Sequence, residues 1–263
     1  MRVGTSDGIS HITTADSDSV TIREMDLARE LIGYLTFSEF FFLMLCGKRP
    51  SEAQAAILDA VLIAIAEHGI TPSVAAARMT LAAAPEALQG AVAAGILGCG
   101  NTVLGTTEVA GRFLAAGVRR IRESGETAEA VAAAEIARLR SGGDRLPGFG
   151  HPLHRPVDPR CERLLEIAEE RGIAGAHCAY ARAVKVAADA AFGKPMVMNV
   201  SAAIPAVLLD LDFPIEALRG IPILARTAGL IAHLAEERRH PIGFHLAAAG
   251  AESVTYVPTD SGT

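Results

Sequence analysis

The chain has 263 residues, half of them hydrophobic, with 5% aromatics and no tryptophan; such a length buries a sizeable core without staples, as one large domain or two small ones. The formal charge of −6 gives no broad positive field, which excludes nucleic acid and an anionic membrane as partners and leaves any anionic ligand to local arginines. Cys46, Cys99, Cys161 and Cys178 form no CxxC pair and no metal-ligand spacing with the eight histidines, so the expectation is reduced thiols in a cytoplasmic protein with no metal.

Residues 1–21 lack helical period and the basic-then-apolar pattern of a signal peptide, and the alternation near Ile9 to Ile12 suits a short strand or hairpin. From Ile22 the pattern changes. Leu27, Leu31 and Leu35 keep helical spacing, and Thr36 with Glu39 reads as a capping box ahead of Phe40, Phe41, Leu43, Met44 and Leu45, closed by Gly47 and Pro50. Ser51, Glu52 and Gln54 open the next helix, which runs through Leu58, Leu62 and Ile65 to His68-Gly69. Thr71-Pro72 restarts a helix through Arg78 and Leu81, Pro85 interrupts it, and 86–97 forms an apolar helix before Gly98-Cys99-Gly100. Residues 88–107 carry no charge, but their glycines, Asn101 and threonines suit a buried helix and loop better than a membrane span.

Helices over 105–122 and 128–139 follow, separated by a turn at 124–127. The composition then shifts: 141–159 holds Gly142, Gly143, Pro147, Gly148, Gly150, Pro152, Pro156 and Pro159, a long loop of the kind that concentrates function inside compact proteins. Beyond it, 161–171 and 174–191 read as helices and Lys194-Pro195 as a break. A helix over 202–211 is entered from Asn199-Val200-Ser201, 218–238 is the last long helix, and 244–257 is short and extended. The helix-break-helix rhythm predicts an all-α fold with little room for a sheet.

The loop over 146–160 packs His151, His154, Arg155, Asp158 and Arg160 among residues that fix backbone shape. Such a loop suits a carboxylate or phosphate, because arginine meets carboxylates two bonds at a time and histidine donates to a carbonyl or hydroxyl oxygen. On spacing alone the alternative is a proline-stiffened surface connection. His68 at a helix end reads first as a partner of the helix dipole. Arg226 in an apolar helix needs an anion or a route to water.

Gly148-Phe149-Gly150-His151 followed by Asp158-Pro159-Arg160 resembles the signature of the citrate synthase and citryl-CoA lyase superfamily. Glu67-His68-Gly69, the run from Ala91 to Gly95 before a glycine-rich break, and the segment from Arg226 to His233 fall in the family's order, so the resemblance spans 9–245. It implies an all-α fold in which 1–110 and 197–263 form a large helical domain and 111–196 an inserted smaller one carrying the Gly-Phe-Gly-His loop. It also implies a homodimer or higher homo-oligomer. In such a protein His151 is catalytic and contacts the oxygen of oxaloacetate or citrate, while His68, Arg160 and Arg226 bind the polycarboxylate substrate. Arg155, with Gly148 and Gly150, meets the phosphates of coenzyme A, whose thioester is substrate or product; no tightly bound cofactor is implied. His154 inherits no role, and His233 reads as structural.

Two departures bear on the chemistry. Where synthases carry a Leu-His-Gly-Gly-like turn, this chain has Asn101-Thr102-Val103-Leu104-Gly105 and no histidine; losing such a donor raises a barrier by about 2.7–4 kcal/mol, which favours the lyase branch. Ser201 occupies the register of the family's catalytic aspartate, and a missing general base forfeits roughly 10²–10⁴-fold in rate. Asp189 and Asp210 are near in sequence but out of register, and the plain reading of Ser201 is a helix cap. The expected activity is cleavage of a citryl-CoA-type thioester to acetyl-CoA and oxaloacetate, or the reverse condensation. The alternatives are a catalytically impaired paralogue that binds CoA esters or polycarboxylates as a partner subunit, and an enzyme acting on a related acyl-CoA.

Overall fold

The structure is a computed structural model that describes residues 8–150 and 156–257. It opens with three short antiparallel strands in the order β1 (Thr13–Ala15), β2 (Val20–Ile22), β3 (Met25–Asp26), in which Thr13 faces Ile22 and Ile22 faces Met25. The strand expected near Ile9 to Ile12 thus begins later. Arg23 and Glu24 form the two-residue β2–β3 turn with φ of 47° and 68°, left-handed values that match the twist of a tight hairpin. Arg23 is held there because its Nε and Nη2 donate to the Met44 carbonyl at 3.0 and 2.6 Å and its Nη1 to the His11 carbonyl at 3.1 Å. The helical spacing of Leu27, Leu31 and Leu35 yields only one wide turn, Leu27–Leu31, because β3 occupies the chain up to Asp26.

Helix α1 (Phe37–Cys46) starts on the expected box: the Thr36 hydroxyl accepts from the Glu39 N–H at 3.3 Å, and Glu39 accepts from the Thr36 N–H at 2.7 Å. Gly47, at φ 70°, ends it, and Arg23 takes the carbonyl of Met44 in its last turn. The remaining helices are α2 (Glu52–Ala66), α3 (Pro72–Ala83), α4 (Leu88–Leu97), α5 (Gly100–Val103), α6 (Thr106–Ser124), α7 (Ala128–Gly142), α8 (Pro159–Glu170), α9 (Ala176–Phe192), α10 (Val200–Leu209), α11 (Gly220–Glu237) and α12 (Gly243–Glu252). The fold is all-α apart from the small sheet. Residues expected to be extended after Phe244 form α12, because the Glu237 carboxylate accepts the N–H groups of Ile242 at 3.0 Å and Gly243 at 2.7 Å and so supplies the acceptor a helix start needs.

Contacts divide the chain into two units, Met1–Val61 with Glu108–Leu218 and Leu62–Thr107 with Arg219–Thr263. The stretch 111–196, expected as an inserted domain, lies wholly within the first unit. That unit also takes in 1–61, 108–110 and 197–218. In the first unit α7 packs on α9, and α10 on α8 and α9, burying Leu164, Leu165, Tyr180, Val184, Ile204 and Leu208. Gly117 is needed there, since a Cβ would stand 2.0 Å from the Tyr180 ring. The second unit closes on Val74, Ala77 and Leu81 of α3, Ala91 of α4, and Leu230 and Leu234 of α11. Among the described residues no helix is long and apolar enough to cross a membrane.

Candidate functional site

In the first unit the Gly148-Phe149-Gly150 run lies antiparallel to the chain entering α10. Phe149 pairs with Met198, the Gly150 N–H donates to the Val197 carbonyl at 2.7 Å, and the Asn199 N–H donates to the Gly148 carbonyl at 2.9 Å. Both glycines are required by their backbones, at φ 78° and 88°. Gly148 is also required by space, because a Cβ would come within 2.6 Å of the Ala202 Cβ on the first turn of α10. The Asn199 side-chain amide donates to the Gly150 carbonyl at 2.7 Å, which fixes the last residue before His151. His151 and Arg155 themselves lie outside the described residues.

Asp158 organises this region. It is fully buried, caps α8 by accepting the Arg160 N–H at 3.1 Å, and accepts the Val200 N–H at the start of α10 at 3.0 Å. Two helix N-termini therefore meet on one carboxylate, where their dipoles favour negative charge. The Arg160 guanidinium joins it through Nε at 3.0 Å and Nη2 at 2.9 Å. Burial would raise the pKa of Asp158, but the bonds from Arg160 and the Val200 N–H outweigh it and hold the carboxyl below its usual range. The sequence placed Asp158 in the motif without a role.

Ser201 is not the cap of α10. That part belongs to Asn199, whose side-chain oxygen accepts the Ser201 N–H at 2.9 Å, so Ser201 sits on the first turn of the helix beside the Gly-Phe-Gly run. Neither neighbouring aspartate is placed to take over its chemistry. Asp189 pairs with Lys185 and accepts the Met196 N–H at 2.7 Å. Asp210 caps α9, accepting from the N–H groups of Gly175 at 2.7 Å, His177 at 2.9 Å and Cys178 at 3.0 Å, with the His177 imidazole at 2.8 Å. Burial opposes ionisation of Asp210, but the His177 ring and the backbone N–H donors bring its pKa to about 2. A carboxyl with a depressed folded pKa stabilises above its unfolded value and loses that contribution as pH falls. The stability gap between wild type and Asp210→Asn, about 2 kcal/mol at neutral pH, is therefore expected to narrow between about pH 4 and pH 2 in acid-denaturation curves.

The second unit holds His68 and Arg226. His68 follows the end of α2, half-buried. Arg226 lies on α11, only 8% exposed, and among the described residues its Nη1 has no hydrogen-bond partner. Arg78 shows the contrast: at 2% exposure it is bound by Glu237 at 2.6 Å, Glu236 at 2.7 Å and the His240 carbonyl at 3.0 Å. A buried guanidinium with an unused donor is a place for an anion. His233 lies between α11 and its neighbours as a structural residue would, with Nε2 2.8 Å from Glu67 and Nδ1 3.4 Å from Arg78 Nη1. Cys99, Cys161 and Cys178 are buried free thiols, Cys46 is a half-buried one, and burial pushes Cys161 up to about 12. Among the described residues no cluster of histidine, cysteine, aspartate or glutamate is placed to hold a metal ion.

The fold has counterparts in known proteins. The structure superposes on citryl-CoA lyase from Hydrogenobacter thermophilus with a TM-score of 0.86, at 30% identity, covering 97% of this chain and 96% of that one. ATP citrate lyase from Methanothrix soehngenii, solved with citrate and coenzyme A, gives a TM-score of 0.79 at 22% identity over 99% of this chain and 43% of that one, a likeness of fold. The citrate synthase-like protein oryE of Aspergillus oryzae is 28% identical over 198 residues, which are 73% of this chain and 42% of that protein. The chain spans about half the length of the curated relatives it matches. Residues 17–243 match the family described as citrate synthase, C-terminal domain. A match that runs over most of the sequence, on a fold shared from end to end with a citryl-CoA lyase, places this chain in the citrate synthase family.

Proposed function

We propose that the chain is a carbon–carbon lyase that cleaves a citryl-CoA-type thioester to acetyl-CoA and oxaloacetate, or runs the reverse condensation. The observation that carries this reading is the likeness to the Hydrogenobacter thermophilus citryl-CoA lyase, which covers nearly all of both chains. In this reading His151 hydrogen-bonds the tertiary hydroxyl and draws off its proton as the carbonyl forms. The electron pair of the breaking carbon–carbon bond passes to the acetyl-CoA enolate, and the proton lost from the hydroxyl is balanced by one gained at the methyl carbon.

Arg160 and Arg226 clamp the carboxylates, and His68 orients the oxo-acid half. The unused donor on buried Arg226 supports its part. Arg160 meets its ligand already locked in place by Asp158 on its Nε and Nη2 edge. Arg155 and the backbone of Gly148 and Gly150 are the groups that meet the coenzyme A phosphates. The protein acts as a cytoplasmic homodimer or higher homo-oligomer.

A second reading, a paralogue that binds the CoA ester or polycarboxylate without turnover, is favoured by Ser201 together with the engagement of Asp189 and Asp210 elsewhere. A coupled assay of oxaloacetate release from citryl-CoA, run on wild type and Ser201→Asp, separates the two. A lyase releases oxaloacetate as wild type, and an added carboxyl at 201 raises the rate by up to about 10²-fold. A binding paralogue takes up coenzyme A but releases oxaloacetate only in the Ser201→Asp form, if at all.

A further inference from the structure

The chain leaves α2 at Ala66 and turns at once through Glu67, His68 and Gly69, the last with φ 74°. The turn is closed by its own side chain: Glu67 Oε1 accepts the His68 N–H at 2.8 Å and the Gly69 N–H at 2.5 Å. The other oxygen, Oε2, lies 2.8 Å from His233 Nε2 on α11. A half-exposed carboxylate paired with a single cation gains little and keeps its rotamer freedom. The two backbone donors of the turn fix the rotamer instead, with the His233 ring beside the second oxygen.

The His233 ring is fixed from its other side. Its Nδ1 stands 3.4 Å from Arg78 Nη1. The guanidinium has only donors to offer, so Nδ1 is the acceptor and the ring proton sits on Nε2, the nitrogen on the Glu67 side. Arg78 is in turn anchored by Glu236, Glu237 and the His240 carbonyl. Helix α11 is brought against the end of α2 by Gly229, where a Cβ would stand 2.0 Å from the Ala66 carbonyl oxygen. Arg226, Gly229 and His233 recur at helical spacing on one face. One rigid helix therefore carries the buried arginine and, two turns on, the residue that holds the His68 turn.

We infer that Glu67 and His233 are positioning residues that set the His68 turn in register with Arg226, so that both meet one oxo-acid ligand. This rests on the proposed reading of His68 and Arg226 as oxo-acid contacts. Glu67 acts through backbone N–H groups and touches no substrate. Burial would raise its pKa, but the bonds from His233 and from the Gly69 and His68 N–H groups prevail and keep it the acceptor the turn requires.

The test is calorimetric binding of oxaloacetate to the full chain, on wild type, Glu67→Ala, Glu67→Gln, His233→Ala, His68→Ala and the Glu67→Ala/His68→Ala double variant. Thermal melting of each checks that it is folded. Glu67→Ala and His233→Ala are expected to weaken oxaloacetate by about 10-fold to 100-fold, as loss of an orienting partner does elsewhere. Glu67→Gln, which keeps an oxygen for the two backbone donors, is expected to recover most of that loss. In the double variant the two effects do not add, because Glu67 works only through the His68 turn. Wild-type affinity in Glu67→Ala, or full additivity with His68→Ala, overturns the inference while leaving the proposed function standing. No affinity of wild type for oxaloacetate overturns the proposed function, and the positioning role with it.

Discussion

Asp158→Ala is expected to destabilise the protein by about 3 kcal/mol in equilibrium denaturation, the low end of what removing one partner of a buried ion pair does, since Arg160 keeps some access to water. The carboxylate is fully buried and serves the starts of α8 and α10 and the Arg160 guanidinium together. Its removal leaves the Val200 N–H as a buried donor without a partner and takes from Arg160 the carboxylate on its Nε and Nη2 edge. Asp158→Asn keeps one carbonyl oxygen for a backbone donor, so its loss is smaller. Function is expected to suffer beyond stability. Asp158 is the link between Arg160 and the helix that carries Ser201, and the Gly-Phe-Gly run is laid against the entry to that same helix. In Asp158→Asn, folded at assay temperature, the geometry relating these groups loosens.

Arg78→Leu is expected to be at least as severe, about 3–5 kcal/mol. Arg78 and Glu237 are almost without solvent contact, at 2% and 3% side-chain exposure. Taking away the arginine strands the glutamate, which burial disfavours and which Arg78 and the N–H groups of Ile242 and Gly243 hold ionised. Glu237 is also the acceptor at the start of α12, so the same variant is expected to fray that helix. Accelerated amide exchange in 243–252 together with the lowered denaturation midpoint is the joint signature. An exposed ion pair such as Arg163 with Glu166 and Glu170 serves as the control, expected to change stability by less than about 1 kcal/mol when broken.

Local chemistry made much of this fold legible in the sequence. The Thr36–Glu39 capping box, the glycine stop at Gly47, Pro72 at the start of α3 and the long Gly- and Pro-rich segment before α8 all act through neighbours within a few residues, so the chain states them directly. What escaped reading depends on partners far away in sequence. The turn at Arg23 and Glu24 carries no glycine and is held by Met44 and His11. The period of Leu27, Leu31 and Leu35 is real, but strand pairing before it claims the chain first. Helix α12 looks extended by composition and becomes helical because Glu237 caps it from α11.

The candidate site divides in the same way. Gly148 and Gly150 are explained by backbone angles and close approach, which a Gly-Phe-Gly run announces. Arg226 is marked by its apolar surroundings in sequence, and among the described residues its Nη1 has no hydrogen-bond partner. The roles of Asp158, Glu67 and His233 were hidden because each joins segments that only the fold brings together. Ser201 reads as a cap in sequence because it precedes an apolar run. The side chain two residues earlier took that part, as an asparagine in extended conformation can.

The most direct test of the account is release of oxaloacetate from citryl-CoA by the wild-type chain, followed alongside His151→Ala. The account predicts oxaloacetate and acetyl-CoA in equal amounts from wild type, and a rate at least about 10²-fold lower in the variant. Wild type and His151→Ala equally inactive, while both bind coenzyme A, would contradict it.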